Sequence, residues 1–480
     1  MRMPDPLETA RRWVEEHHEA VAGISDQIFH LGEAGLREYR SCRVLGDFLD
    51  AHGFEVEYGI AGMPTAFRAT WGSGGPCIGM MCEYDAIPGT SQAVKPVPEP
   101  LRPDAGGFPD IHNGIGAASA AAAAAAKAAM ERYGLRGTIQ VLGTPAEKTC
   151  IGKPYLAKDG YLDVLDAVVA WHPRKYTTVE WDTGPGCYQA DVYEFFGRSE
   201  YGARPWAGVS ALDAATLMNV ILQFMREHIP REYQATVNEL VTVGGQHPTT
   251  IPNYAQVWYV YRSPERRGIE HVEALLQRAA EAAVLATGAQ YRRRLATSVR
   301  PWLPNHTMAR VAYRNLERLG PPRFPAEMKR FAQEILRNAG LEEDPEPFDE
   351  TLTPPESGIT AEFAGGADDV NEFCWHAPTV RIYVAYGIRH PVPNWAMAAL
   401  AGTPVAHTTV RRAAQAVALT ALDLLLNPRD LEAARREFEE RTAEGALKPL
   451  VPREAQPPVD LSFPPHYPKG WRPPADRLAE

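Results

Sequence analysis

The stretch CIGMMCEYDAIPG (Cys77–Gly89) decides how the chain folds. Six apolar or small residues run without interruption into Glu83 and Asp85, and a proline-glycine turn follows. Such a run reads as a buried strand that delivers two carboxylates to its C-terminal edge. GTIQVLGTPAEK (Gly137–Lys148) repeats the design and ends in Glu147 and Lys148. DAVVAWHP (Asp166–Pro173) repeats it again and ends at His172. Three apolar strands with polar ends, separated by helical segments, predict an α/β sheet. Ligands of such sheets collect at the carboxyl ends of the strands.

The spacing of apolar residues outlines the helices. Asp5-Pro6 reads as an N-cap and first helical position, and Leu7, Ala10, Trp13, Val14, Val21, Ile24 and Ile28 follow at helical intervals. A second helix is expected over Tyr39 to His52, stopping at Gly53. The alanine run Ala117 to Ala126 follows DIHNGIG directly. Alanine is the best helix former, so the run predicts a helix packed tightly on the sheet with its N-terminus aimed at the strand ends.

From Cys187 the texture changes. YQADVYEFFG, SALDAATLMNVILQFMREHI, NYAQVWYVYR, IEHVEALLQRAAEAAVLATG and QYRRRLATSV read as strand, helix, strand, helix and strand, with one more strand near ELVTVGG. That order predicts a small α+β unit inserted into the α/β domain. The expected division is 1–186 and 301–430 for the two parts of the α/β domain, 187–300 for the insertion and 431–480 for a Pro-rich C-terminal arm. The arm's Phe463, Tyr467 and Trp471 suggest packing on a neighbour. The amphipathic helix Ser210 to His228 and an edge-like NYAQVWYVYR, able to pair across a two-fold axis, predict a homodimer.

Bulk properties exclude several classes. The 480 residues carry 49 basic and 60 acidic side chains, a net charge of −11, which leaves no basic surplus for nucleic acid. No run of about 18 apolar residues suggests a membrane span, and no cleavable apolar segment opens the chain. Six scattered cysteines, with no Cys-x-x-Cys pair, fit a cytoplasmic protein.

The chemistry-bearing residues gather at predicted strand ends and helix starts: Asp85, Asp110 with His112, Glu147 with Lys148, and His172. Carboxylate and imidazole together suit Zn, Mn, Co or Ni. Lys148 beside Glu147 would hold the carboxylate ionised, as a general base requires, or the two form a solvated surface pair worth little.

EYDAIPG, HNGIGAASAAAA, GTPAEK, AWHP and PWAGVSALDAATLMN occur in one order. With them the chain resembles the aminoacylase and carboxypeptidase type metallohydrolases (peptidase family M20), in particular their aminobenzoyl-glutamate hydrolase branch. The likeness runs from about Ser25 to Leu425. It implies a catalytic α/β domain with one or two divalent metals, Zn or Mn first, and an inserted lid and dimerisation domain. It also implies hydrolysis of a small N-acyl or aryl amide, with Glu147 as general base and Asp110, His112 and His172 as metal ligands. A further histidine ligand is implied near Trp395, for which His390 and His407 are the candidates. Asp369 and Glu372 fall on an acidic motif.

Several positions depart from the pattern: Asp110 stands where a bridging cysteine is expected, and Pro393-Asn394 where the further histidine is expected. Lys148 stands where a second glutamate would bind metal, and an ammonium cannot ligate a cation. Tyr201 stands where an imidazole would contact substrate across the dimer, so Lys148 and Tyr201 are expected to help hold an oxyanion. The alternatives are a homologue with an altered or lost metal site running other C–N bond chemistry, and a non-catalytic dimeric binding protein.

Overall fold

The strand Cys77–Cys82 is buried at every position because it lies inside a seven-stranded sheet. We label the strands of the molecule β1 (Glu55–Tyr58), β2 (Phe67–Ser73), β3 (Cys77–Cys82), β4 (Ile87–Pro88), β5 (Gly106–Gly107), β6 (Gly137–Gly143), β7 (Ala167–Arg174), β8 (Thr178–Val179), β9 (Cys187–Phe196), β10 (Thr236–Val243), β11 (Tyr254–Ser263), β12 (Gln290–Val299) and β13 (Thr379–Ala385). The large sheet has the order β1-β2-β6-β3-β7-β13-β8. Four of its five inner strands, β6, β3, β7 and β13, run parallel, so their carboxyl ends lie together. The three strands expected from their polar ends are thus direct neighbours. This is a computed structural model, and it describes residues 5–103, 105–182, 184–359, 366–443, 445 and 448–461.

Alternation along the inner strands assigns the two faces. Ile78, Met80, Val169, Trp171, Val380 and Ile382 enter one core, while Met81, Val168 and Ala170 enter another. His172 continues the face of Val168 and Ala170, and Tyr383 lies beside it in register. On the first face lies the helix His112–Tyr133, which contains the alanine run and is buried along most of its length. Small side chains let it approach closely. A Cβ on Gly116 would stand 2.7 Å from the Glu83 carbonyl oxygen and 2.7 Å from Leu45, so only glycine fits where the helix passes the end of β3.

The second sheet has the order β10-β11-β9-β12, is antiparallel throughout, and is covered by the helices Ala211–Met225 and Arg266–Thr287 over a core of its own. The strand expected near ELVTVGG is β10. NYAQVWYVYR differs from its expected place: β11 is bonded on both sides, to β10 and β9, and is an interior strand. The free edges of this sheet belong to β10 and β12.

Two helix boundaries also differ. The N-terminal periodicity is shared by two helices, Pro6–Glu16 and His18–Leu31, separated at His17. The second expected helix spans Ser41–Ala51. At the other end, Pro428–Thr442 is helical. Residues 448–461 then lie along this same chain: Tyr155 Oη donates to the Gln456 carbonyl at 3.0 Å, Arg37 Nη2 donates to that of Leu461 at 2.8 Å, and Arg294 pairs with Asp460 at 2.7 Å. Phe463, Tyr467 and Trp471 lie outside the described residues. Among the described residues no helix is long and apolar enough to cross a membrane.

Candidate metal and catalytic centre

The parallel strand ends bring Glu83 and Asp85 (after β3), Glu147 and Lys148 (after β6) and His172 (in β7) beside His112, the first residue of the alanine-rich helix. The Glu147 turn is held tightly. Ala146 and Cys150, with φ of 57° and 52°, bracket the short 3-10 turn Glu147–Thr149 in left-handed backbone that non-glycine residues seldom adopt. Glu38 accepts from the Ala146 N–H at 2.8 Å and Asp85 accepts from the Lys148 N–H at 2.9 Å.

Both histidines present Nε2 to the centre. His112 Nδ1 donates to Asp85 Oδ1 at 2.7 Å, and His172 Nδ1 donates to the Pro173 carbonyl at 2.8 Å. A carbonyl only accepts, so the His172 proton sits on Nδ1 and its Nε2 lone pair is free. His112 Nε2 is fully buried and has no hydrogen-bond partner, yet it faces Glu147 Oε2 at 3.3 Å and Glu83 Oε2 at 3.5 Å. Glu83, His112 and His172 each offer a ligand atom, and all three atoms lie within 4.8 Å of one another; Asp85, His112 and Glu147 form a second such group.

Asp110 and Lys148 close the front of the cluster. Lys148 Nζ lies 2.7 Å from Asp110 Oδ2 and 3.1 Å from Glu147 Oε2, and Asp110 Oδ2 lies 3.5 Å from His172 Nε2. The pair Glu147–Lys148 is therefore not a solvated surface pair. Behind the cluster, Lys153 Nζ is 2.8 Å from Glu83 Oε1 and pairs with Asp369, while Arg381 pairs with Asp368. Glu83, Asp368 and Asp369 are a third group with metal-ligand spacing, but Lys153 supplies its cation.

The charges set the protonation states. Burial pushes the Glu147 carboxyl up to about 7 against the Lys148 charge, a value suited to a group that takes and returns a proton near neutrality. Burial and Lys148 both disfavour a charge on His112, but Asp85 and Glu83 outweigh them and raise it to about 9. Burial lowers His172, which keeps it neutral and able to ligate. Burial works against the Asp110 carboxylate, but the Lys148 ammonium holds its carboxyl well below the usual range.

A divalent cation fits these residues. His112 Nε2 is an orphaned buried atom aimed between two carboxylates, His172 Nε2 is presented beside it, and both rings are oriented through Nδ1 as metal-binding imidazoles usually are. Six carboxylates (Glu83, Asp85, Asp110, Glu147, Asp368 and Asp369) gather around Lys148, Lys153 and Arg381, a centre rich in the oxygen donors a divalent ion accepts.

Some residues singled out in the sequence lie elsewhere. His390 is half-exposed and paired with Asp344 at 2.9 Å; His407 is paired with Asp26 at 2.8 Å; neither joins a ligand group among the described residues. His390 belongs to a surface turn, and His407, in the first turn of the helix Pro404–Leu426, meets the helix His18–Leu31. Tyr201 is 59% exposed in the loop after β9, bridged to Thr250 in the same unit. Glu372 serves Arg300, at 2.6 Å. Conversely, Glu83, Lys153, Asp368 and Arg381 are central to the arrangement. Their signal in the sequence is a charge beside or within an apolar run, as in CIGKPYLA and PTVRIYVA.

No family model matches the chain. It is 28% identical over 469 residues to one of the subunits of p-aminobenzoyl-glutamate hydrolase from Escherichia coli, covering 92% of this chain and 97% of that protein. Its fold is similar to that of an aminobenzoyl-glutamate utilization protein from Klebsiella pneumoniae (TM-score 0.55, 15% identity, 86% of this chain and 96% of the other). It is also similar to that of a dinuclear metal-binding peptidase of the M20 family from Bacillus subtilis (TM-score 0.51, 17% identity, 85% and 99%). The chain is thus similar over nearly its full length to p-aminobenzoyl-glutamate hydrolase, and its two-sheet fold is similar to that of an M20 family peptidase.

Proposed function

We propose that the chain is a metal-dependent amidohydrolase that cleaves a small N-acyl or aryl amide. The observation that carries this reading is the pair of Nδ1-anchored histidines, His112 and His172, presenting Nε2 beside Glu83 and Glu147. Its full-length similarity to a p-aminobenzoyl-glutamate hydrolase supports an amide joined to a carboxylate-bearing group. Glu83, His112 and His172 would hold a divalent ion, Zn or Mn first, with Co or Ni also suited to this donor set. Such an ion polarises an amide carbonyl and acidifies water.

The chain's own groups do the proton work. Glu147, buried and raised to about 7, takes the proton of the attacking water and returns it to the leaving nitrogen. Lys148 Nζ, 3.1 Å from Glu147, offers positive charge to the developing oxyanion. Tyr201 serves substrate only if a second copy brings it to the centre. The working form is therefore taken as a cytoplasmic homodimer, with the α/β unit divided at 187 and 300 by the inserted one.

Purified chain assayed on aryl-amide and N-acyl amino acid substrates should lose turnover on chelation and regain it on adding Zn or Mn. Turnover indifferent to chelation would refute the reading. The lysines within the cluster favour a second reading, a centre that runs metal-free C–N bond chemistry, and hydrolysis by metal-free protein would establish it.

A further inference from the structure

The carboxylate oxygens nearest the two histidine Nε2 atoms are also the two that Lys148 holds. Glu147 Oε2 is 3.3 Å from His112 Nε2 and 3.1 Å from Lys148 Nζ; Asp110 Oδ2 is 3.5 Å from His172 Nε2 and 2.7 Å from Lys148 Nζ. The ammonium therefore stands among the donors and not outside them. Its side chain is 20% exposed, and its backbone is fixed by the Asp85 hydrogen bond and the flanking left-handed residues. An exposed ion pair contributes little because water competes for both partners; here Glu147 is almost wholly withdrawn from water. At the rear of the cluster Lys153 pairs with Asp369 and with Glu83 Oε1, leaving the other oxygen, Glu83 Oε2, facing His112 Nε2 at 3.5 Å.

We propose that the Lys148 ammonium is a built-in cation occupying a second cation position, so that the centre takes one divalent ion per chain, at Glu83, His112 and His172. The argument rests on the hydrolase reading above and specifies its metal content. Asp110, neutralised by Lys148, is withheld from the ion. The fixed charge also sits close enough to repel it. A fixed positive charge beside a partly buried cation site lowers the cation's affinity by roughly tenfold or more, so the ion is held more weakly than the bare donor set would hold it.

Metal stoichiometry tests this without reference to turnover. The full chain is stripped with chelator, titrated with Mn or Zn alone and analysed for bound metal after gel filtration. The native chain should hold one ion. Lys148→Glu should hold two, because a carboxylate replaces the ammonium between Asp110 and Glu147. Lys148→Met, which carries the decision if Lys148→Glu does not fold, should bind its ion more than about tenfold tighter. Two ions in the native chain would overturn the assignment while leaving the amidohydrolase reading intact. Unchanged stoichiometry in Lys148→Glu, or in its absence unchanged affinity in Lys148→Met, would also overturn it. No ion in the native chain at millimolar metal would overturn both.

Discussion

Asp85 is bonded to His112 and to the Glu147–Lys148 turn at once, through Oδ1 to His112 Nδ1 at 2.7 Å and through Oδ2 to the Lys148 N–H at 2.9 Å. One carboxylate thus orients the ring that presents Nε2 and sets the turn that carries Glu147. Replacing Asp85 with Asn keeps the shape but removes the charge that favours the Nδ1 proton. Affinity for Zn or Mn should fall roughly 10- to 100-fold, as read by competition with a chelating dye. Native affinity in this variant would show that packing alone orients His112.

Glu147→Gln keeps the side chain's volume and one oxygen but cannot carry a proton. Turnover should fall by about 100- to 10,000-fold, with metal content and circular dichroism unchanged. Near-native turnover would remove Glu147 from the mechanism.

Glu180 reports on the buried charge beside the centre. It accepts from Tyr383 Oη, and burial raises its carboxyl from 4.5 to about 7 despite Arg381. The native state therefore keeps this proton between pH 4.5 and about 7, where the unfolded chain has released it. Bound protons favour the native state in that window, so the contribution of this group falls as pH rises through it. Glu180→Gln should match the native chain near pH 4 and exceed its stability by roughly 2–3 kcal/mol at pH 8, in urea unfolding at each pH. Parallel pH profiles for the two proteins would count against this.

The inserted unit exposes apolar side chains together with an unpaired strand edge. Val220 and Phe224 on the helix Ala211–Met225 and Leu240 and Val241 on β10 are exposed. Sedimentation at micromolar concentration should give a dimer, and Phe224→Glu should shift it towards monomer. A native chain that sediments as a monomer would exclude the homodimer.

What the sequence discloses of the fold follows from local rules. An apolar run ending in acids, as at Met80-Met81-Cys82-Glu83-Tyr84-Asp85, has few options besides a buried parallel strand, and the nine alanines of 117–126, broken at Ser119, few besides a close-packed helix. Strand order within a sheet is a non-local property. β11 is apolar enough to suggest a pairing surface, but only the partners β9 and β10 reveal that its edges are already used.

The centre divides in the same way. Asp110, His112, Glu147, Lys148 and His172 sit at strand ends or a helix start, where position alone points to a site. Lys153 and Arg381 lie one turn of helix or half a strand further in, and their role depends on which carboxylates another segment, Asp368-Asp369, brings to meet them. His390 and His407 are near Trp395 in the sequence, but separate acidic partners, Asp344 and Asp26, hold them elsewhere.

Residues 448–461 are anchored to three segments: at Arg37 near the N-terminus, at Tyr155 in the helix after the Glu147 turn, and at Arg294 on β12 of the second sheet. The second sheet leaves and re-enters the first unit near residues 186 and 300 and shares a buried core with it, Tyr188, Ala190 and Val192 lying in one cluster with Met81, Leu142 and Tyr155. Asp460 tied to Arg294 and Gln456 tied to Tyr155 add a strap across the same two units. Any change in the angle between the two sheets therefore has to break that packing and the strap's bonds together, beside the helix that follows Glu147.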